Sequence, residues 1–182
     1  FVNSLFIDAN KQVFVGTEVG LQKLENDNIF QFADLEINKI VKKKTVSIKV
    51  IKQDKGGNLL LGTNEDGLLL YNYELKSFRL FQHNETNPQS LGSNLVRSIG
   101  VAQSGSIWVG CINGGLNLFD PISGNFYNYQ NDPNDPKKIK TVRTSARQFG
   151  IQALNQRLNR NLPKVFTLSG PHGNHTCSLF FL

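Results

Sequence analysis

A chain of 182 residues with 39% hydrophobic, 10% aromatic and 19% charged content suits one modest globular domain and excludes collagen-like or strongly disordered material. No apolar run approaches the roughly 20 residues needed to cross a bilayer, and the first residues lack the basic and apolar segments of a signal peptide. The net charge of +6 divides unevenly: residues 1–140 carry 15 Lys and Arg against 14 Asp and Glu, whereas residues 141–182 carry Arg143, Arg147, Arg157, Arg160 and Lys164 with no acid. The basicity therefore belongs to a tail and not to a nucleic-acid-binding face, and no nucleic acid is expected as a partner. The chain starts at Phe1 and contains no methionine, so it is expected to be a piece of a longer protein.

In chain order, the first unit opens on Val13-Phe14-Val15-Gly16, a polar turn and Gly20-Leu21; its exit loop carries Lys42-Lys43-Lys44, read as a solvated run. The second unit predicts strands over Ile48–Gln53, Leu59–Gly62, Leu68–Tyr73 and Phe78–Gln82. The third predicts Leu95–Val101, Ile107–Ile112, Leu116–Asp120 and Phe126–Gln130, separated by turn-forming Gly, Pro, Ser and Asn. The glycines Gly16, Gly62 and Gly110 recur at steps of 46 and 48, and Asp8, Asp54 and Ala102 stand eight residues before them. A period near 47 with four short strands per unit predicts an all-β chain of propeller blades spanning 1–46, 47–93 and 94–140, about three in an incomplete ring. Trp108, in the slot of Phe14 and Leu60, is expected to anchor the packing between blades.

Residues 83–99, HNETNPQSLGSNLVRSI, and 104–136, SGSIWVGCINGGLNLFDPISGNFYNYQNDPNDP, resemble the two-component regulator propeller repeat. Ala102 departs from the usual acid and Cys111 from the usual threonine. The resemblance implies a periplasmic sensor region of a bacterial hybrid histidine kinase or diguanylate cyclase. Such a region detects a ligand, with carbohydrate as the class most often discussed, and passes the signal to a cytoplasmic output domain that residues 1–182 do not contain. Its implied partners are that ligand and the neighbouring blades of the parent receptor, which is expected to be a homodimer. The fragment itself is not expected to be an enzyme. The alternatives are a propeller lyase similar to the streptogramin lyases, for which His83 is the histidine on a blade loop, and a non-catalytic interaction propeller.

The period predicts a fourth glycine near position 157, where Arg157 stands, and Thr141-Val142-Arg143-Thr144 is the last echo of Leu95-Val96-Arg97-Ser98. Residues 141–182 therefore read as an irregular, aberrant or disordered basic tail. A shift of reading frame near residue 144 accounts for the break, and the nucleotide sequence decides it. In the tail His172, His175 and Cys177 lack a fourth ligand and an established zinc spacing, so no metal is expected, and no phosphate-binding glycine motif or other cofactor signature occurs.

In a four-stranded meander, alternate connections emerge at one edge. The second-to-third-strand turns and the loops between blades should thus share a face carrying Asn64, Glu65, Asp66, His83 and Asn113 as ligand-binding candidates. Asn84, Glu85 and Asp132 are expected beside them.

Overall fold

A computed structural model describes residues 1–25, 28–32, 34–129, 165–170 and 173–178. They fall into two units, 1–146 and 147–182. In the first unit, β1 (Val2–Ile7), β2 (Val13–Thr17), β3 (Gly20–Glu25) and β4 (Asn28–Gln31) form one antiparallel meander. After α1 (Asp34–Val41) come β5 (Ile48–Gln53), β6 (Leu59–Thr63), β7 (Leu68–Asn72) and β8 (Ser77–Phe81). The third sheet comprises β9 (Val96–Val101), β10 (Ile107–Cys111), β11 (Gly115–Phe119) and β12 (Phe126–Tyr129). In every sheet the strands pair in chain order. β5 packs beside both β1 and β9, so the first strands of the three blades lie together as inner strands. The described residues thus form three blades, fewer than the roughly 4 to 8 of a closed propeller.

The turns show why the units repeat. Asp8 Oδ1 accepts the amides of Asn10 and Gln12 at 2.9 and 2.8 Å, and Asp54 Oδ1 accepts that of Asn58 at 2.8 Å. Ala102 cannot do this, yet the backbone bonds of the turn persist, Ala102 N to Ser106 O and Gly105 N to Ala102 O, both at 2.9 Å. Ser104 Oγ, 2.9 Å from Ser106 Oγ, accepts the Ser106 amide at 3.4 Å, the counterpart of the amides that Asp8 and Asp54 accept. At the next turn Thr17 and Thr63 donate their hydroxyls to Gly20 O and Gly67 O at 2.9 and 2.8 Å. Cys111 stands at the third such position, and there the buried Asn117 amide supplies the donor, to Gly114 O and Gly115 O, both at 3.3 Å. Both departures from the repeat are thus met locally.

Alternation along the strands sends one apolar row to each neighbouring blade. Phe14 and Leu21 of blade 1 pack against Ile48, Ile51, Leu59, Leu61, Leu69, Tyr71 and Phe78 of blade 2. The opposite row of blade 2, Leu60, Leu68 and Leu70, packs against Val96, Ile99, Ile107, Val109, Phe119 and Phe126 of blade 3. Each fully buried side chain of this kind contributes about 1.5–3 kcal/mol of transfer free energy. Val2 and Leu5 occupy on blade 1 the positions that Ile48 and Ile51 occupy on blade 2. They are 69% and 66% exposed, where Ile48 and Ile51 are 0% and 2% exposed, because no described blade precedes them. Trp108 is half-buried, its ring 5.8 Å from that of Tyr129.

Two features depart from the sequence reading. The connection between blades 1 and 2 contains α1, whose Ile37 enters the core with Val46; eight residues are too few for periodicity to distinguish from a loop. In the second unit, where an irregular tail is expected, β13 (Val165–Gly170) pairs antiparallel with β14 (Gly173–Ser178). Strand-forming Val, Phe, Thr and Leu flank a Gly-Pro-His-Gly stretch there, but a single hairpin has no repeat to align with. The remainder of the tail lies outside the described residues.

Candidate functional site

The second-to-third-strand turns and the connections between blades meet at one edge. Asn64 N donates to Ser47 O, Gly67 N to Asn94 O and Ile112 N to Leu95 O, all within 2.9–3.0 Å. Backbone approaches are close at this edge: a Cβ on Gly67 would lie 2.2 Å from Phe81 O, and one on Gly92 would lie 2.2 Å from Gly114 O. These positions require glycine sterically, and Gly67 also has φ +90°.

The connection between blades 2 and 3 is shaped by its own side chains. Asn84 and Asn87 accept the amides of Thr86 and Gln89 on their Oδ1 atoms, both at 3.0 Å, as Asx turns do. Ser90 Oγ closes the loop, accepting from Asn84 N at 2.9 Å and donating to Asn84 O at 3.0 Å. The loop is anchored by buried Leu91 and by Gly92 N donating to Asn117 Oδ1 at 2.9 Å. It also lies along β12, where Phe126 N donates to Gln89 O at 2.8 Å and Asn128 Nδ2 to Ser90 O at 3.0 Å. Between this loop, the end of β8 and the turn before β12 lies a groove of about 670 Å³, within the size range of small-molecule sites. Phe81 provides apolar surface, and His83, Asn84, Glu85, Thr86, Asn87 and Gln89 provide polar groups.

Of the predicted residues, His83 lines the groove, with Asn84 and Glu85 beside it. Its Nδ1 lies 2.7 Å from Leu91 O. A carbonyl can only accept, so Nδ1 carries the proton and Nε2 of the neutral ring is an acceptor. Asn94 Oδ1 holds His83 N at 2.7 Å, while Asn94 O holds Gly67 N; this one residue ties the groove to the 64–67 turn. Asn64, Glu65 and Asp66 stand on that turn, outside the groove. Asn64 Oδ1 accepts from Arg97 Nη2 at 2.8 Å, and Glu65 is exposed. Asp66 is buried, and its carboxylate pairs with Lys43 Nζ at 2.5 Å, which holds the Lys43 ammonium above its ordinary range. Lys43, read as part of a solvated run, is thus tied to blade 2. Asn113 is exposed at the tip of its turn with φ 58°, a left-handed conformation that Asn tolerates better than most residues. Asp132 and His172 lie outside the described residues, and His175 and Cys177 fall on β14. Among the described residues no group of His, Cys, Asp or Glu could hold a metal ion.

A further set of polar residues is not apparent from motif reading. The pairing of each inner strand slips at one residue: Asn3 between Val2 and Ser4, Lys49 between Ile48 and Val50, and Arg97 between Val96 and Ser98. Such bulges re-aim a side chain. Lys49 Nζ meets Glu18 Oε1 at 2.5 Å, and Ser47 Oγ donates to Glu18 Oε2 at 2.7 Å. Lys49, then Ser47, hold the Glu18 carboxyl down at about 2. The steps of 46 and 48 already align Asn3 with Lys49 and Arg97, and Glu18 with Asn64 and Ile112; the signal is present in the repeat register.

Against known proteins, no family model matches the chain and no curated protein does. Solved structures do. The extracellular domain of BT3049, assigned to a hybrid two-component system of B. thetaiotaomicron, is similar over 75% of this chain with 27% identity and a TM-score of 0.62. The extracellular domain of BT4673 from the same organism is similar over 65% of the chain with 31% identity and a TM-score of 0.54. A further structure of the BT4673 extracellular domain, described as part of a hybrid two-component system, gives 29% identity over 71% of the chain, also with a TM-score of 0.54. The chain spans between 15% and 19% of the length of these domains. In its repeat and its four-stranded blades the chain is thus similar to parts of extracellular domains of two-component systems.

Proposed function

We propose that the chain forms part of the ligand-recognising region of a periplasmic sensor, whose parent receptor relays the signal to a kinase or cyclase output domain. The observation that carries this reading is the likeness, at 27% and 29% identity, to extracellular domains described as parts of B. thetaiotaomicron hybrid two-component systems. The groove between blades 2 and 3 is the ligand position. Amides, a hydroxyl and an imidazole acceptor beside the Phe81 ring suit a hydroxylated ligand of the carbohydrate class. Asn64, Glu65, Asp66 and Asn113 border the site as parts of its frame. The apolar surface at Val2 and Leu5 takes a neighbouring blade of the receptor. In this reading the site acts by binding, with the His83 ring fixed through Nδ1 by the Leu91 carbonyl.

Calorimetric titration of the full chain with neutral mono- and disaccharides tests the proposal. A saccharide should bind and lose affinity about tenfold or more in Gln89→Ala or Glu85→Ala, the loss of one good hydrogen bond to a ligand. If no saccharide binds, or binding ignores both substitutions, the groove is not the site.

A further inference from the structure

The bulges of the inner strands put one side chain per blade in the same place, and the charges there differ between the two junctions. At blades 1 and 2 the bulged cation Lys49 faces the Glu18 carboxylate. At blades 2 and 3 the bulged cation Arg97 faces Asn64, a neutral amide, through a single 2.8 Å bond from Nη2. Arg97 forms no ion pair among the described residues, and its Nη1 is shielded from solvent with no acceptor there. Arg97 as a residue is only half-buried. The neighbouring Glu65 forms no ion pair with it; its Oε1 lies 3.4 Å from Asn64 Nδ2. A guanidinium is always charged and presents a planar fork matched to a carboxylate.

From this we infer that Arg97, with Asn64 beside it, is an anion position for the carboxylate of a sugar-acid ligand, the external counterpart of the Glu18 carboxylate at the neighbouring junction. The carboxylate accepts from the guanidinium, whose Nη2 is oriented by Asn64 Oδ1. This deepens the proposed ligand-recognising role and rests on it for the sugar, though not for the charge.

The test titrates the full chain with sodium glucuronate, with glucose as neutral analogue and with sodium acetate and sodium sulfate as simple anions. Glucuronate should bind at least about tenfold more tightly than glucose, the effect of one charge-assisted hydrogen bond. Asn64→Asp places a carboxylate where Glu18 stands at the other junction; it should keep the fold, raise the melting temperature and abolish the glucuronate preference. Arg97→Gln should abolish the preference as well. Equal affinity for glucuronate and glucose, or a preference that survives Asn64→Asp in a folded protein, overturns the inference. So does sulfate or acetate binding that matches glucuronate, since the site would then hold any anion and not a sugar acid. Neutral-saccharide binding that is lost in Gln89→Ala but kept in Asn64→Asp separates the groove from this position, so either reading can fail without the other.

Discussion

The junction of blades 1 and 2 and the junction of blades 2 and 3 are the same interface built twice, with different contents. The first is plugged by α1 through Ile37 and closed by the Lys49–Glu18 and Lys43–Asp66 ion pairs. The second is plugged by Leu91 at the end of an Asx-turn loop, leaves a groove, and pairs Arg97 with a neutral amide. The apolar plug and the bulge recur because packing requires them. Charge neutralisation does not recur, and the second junction is the one proposed above for recognition.

The equivalence of the two junctions is tested most severely at the plugs. Ile37→Ala and Leu91→Ala each remove a buried side chain that the connection between two blades contributes to its core, and each should cost about 2–5 kcal/mol in urea denaturation. A large loss at one junction with little at the other would show that the plugs are not equivalent.

A smaller contrast is expected at the glycines. A Cβ on Gly62 would lie 2.5 Å from both Val50 Cγ1 and Val96 Cγ1, whereas one on Gly16 would approach Ile48 Cγ2 no closer than 3.0 Å. Gly62→Ala should therefore cost about 1–3 kcal/mol, as overpacking against stiff β-branched side chains does, and Gly16→Ala less than about 1. Equal melting temperatures for the two variants would contradict the geometry.

The ion pair gives a contrast in pH. The Glu18 carboxyl is held at about 2, below its ordinary 4.5. The pair therefore stabilises fully above 4.5, and its contribution fades as the pH falls toward 2. Glu18→Gln should lower the melting temperature by a few degrees at most at pH 7, as an exposed pair does, and the difference from the parent chain should shrink steadily below pH 4.5. A difference that holds constant down to pH 2 would show that the pair is not its source.

The slightest effect concerns reactivity. Burial pushes the Cys111 thiol up to about 12, so in a Cys177→Ser background a thiol reagent at pH 8 should label Cys111 only as fast as the domain opens. Rapid labelling of the folded protein would show that the second junction is looser than its packing indicates.

The blades are legible in the sequence because their period is written in glycines and apolar runs that alternate with few interruptions. Gly16 and Gly62 stand near strand ends where the inner strand of the next blade presses close, and steric necessity leaves a trace in sequence. Placement of the turns at one edge follows from the topology of a meander. The polar side chains are harder to read. Asp66 looks like a ligand-binding acid on a turn, yet burial and Lys43 occupy it, a pairing across 23 positions that depends on how α1 ends. Asn113 looks like a polar contact, yet its place owes much to its left-handed backbone. Arg97 is visible in the repeat as a match to Lys49, but a one-residue bulge, which no pattern of types reveals, is what directs it across the junction.

Whether recognition belongs to the second junction is decided most directly by mapping amide chemical-shift changes while titrating the full chain with a saccharide that binds. Changes should concentrate in residues 82–95 and in the turn at 64–67, with the connection at 32–47 unmoved. Changes centred on α1 and the Lys49–Glu18 pair, or spread evenly over both junctions, would contradict that assignment.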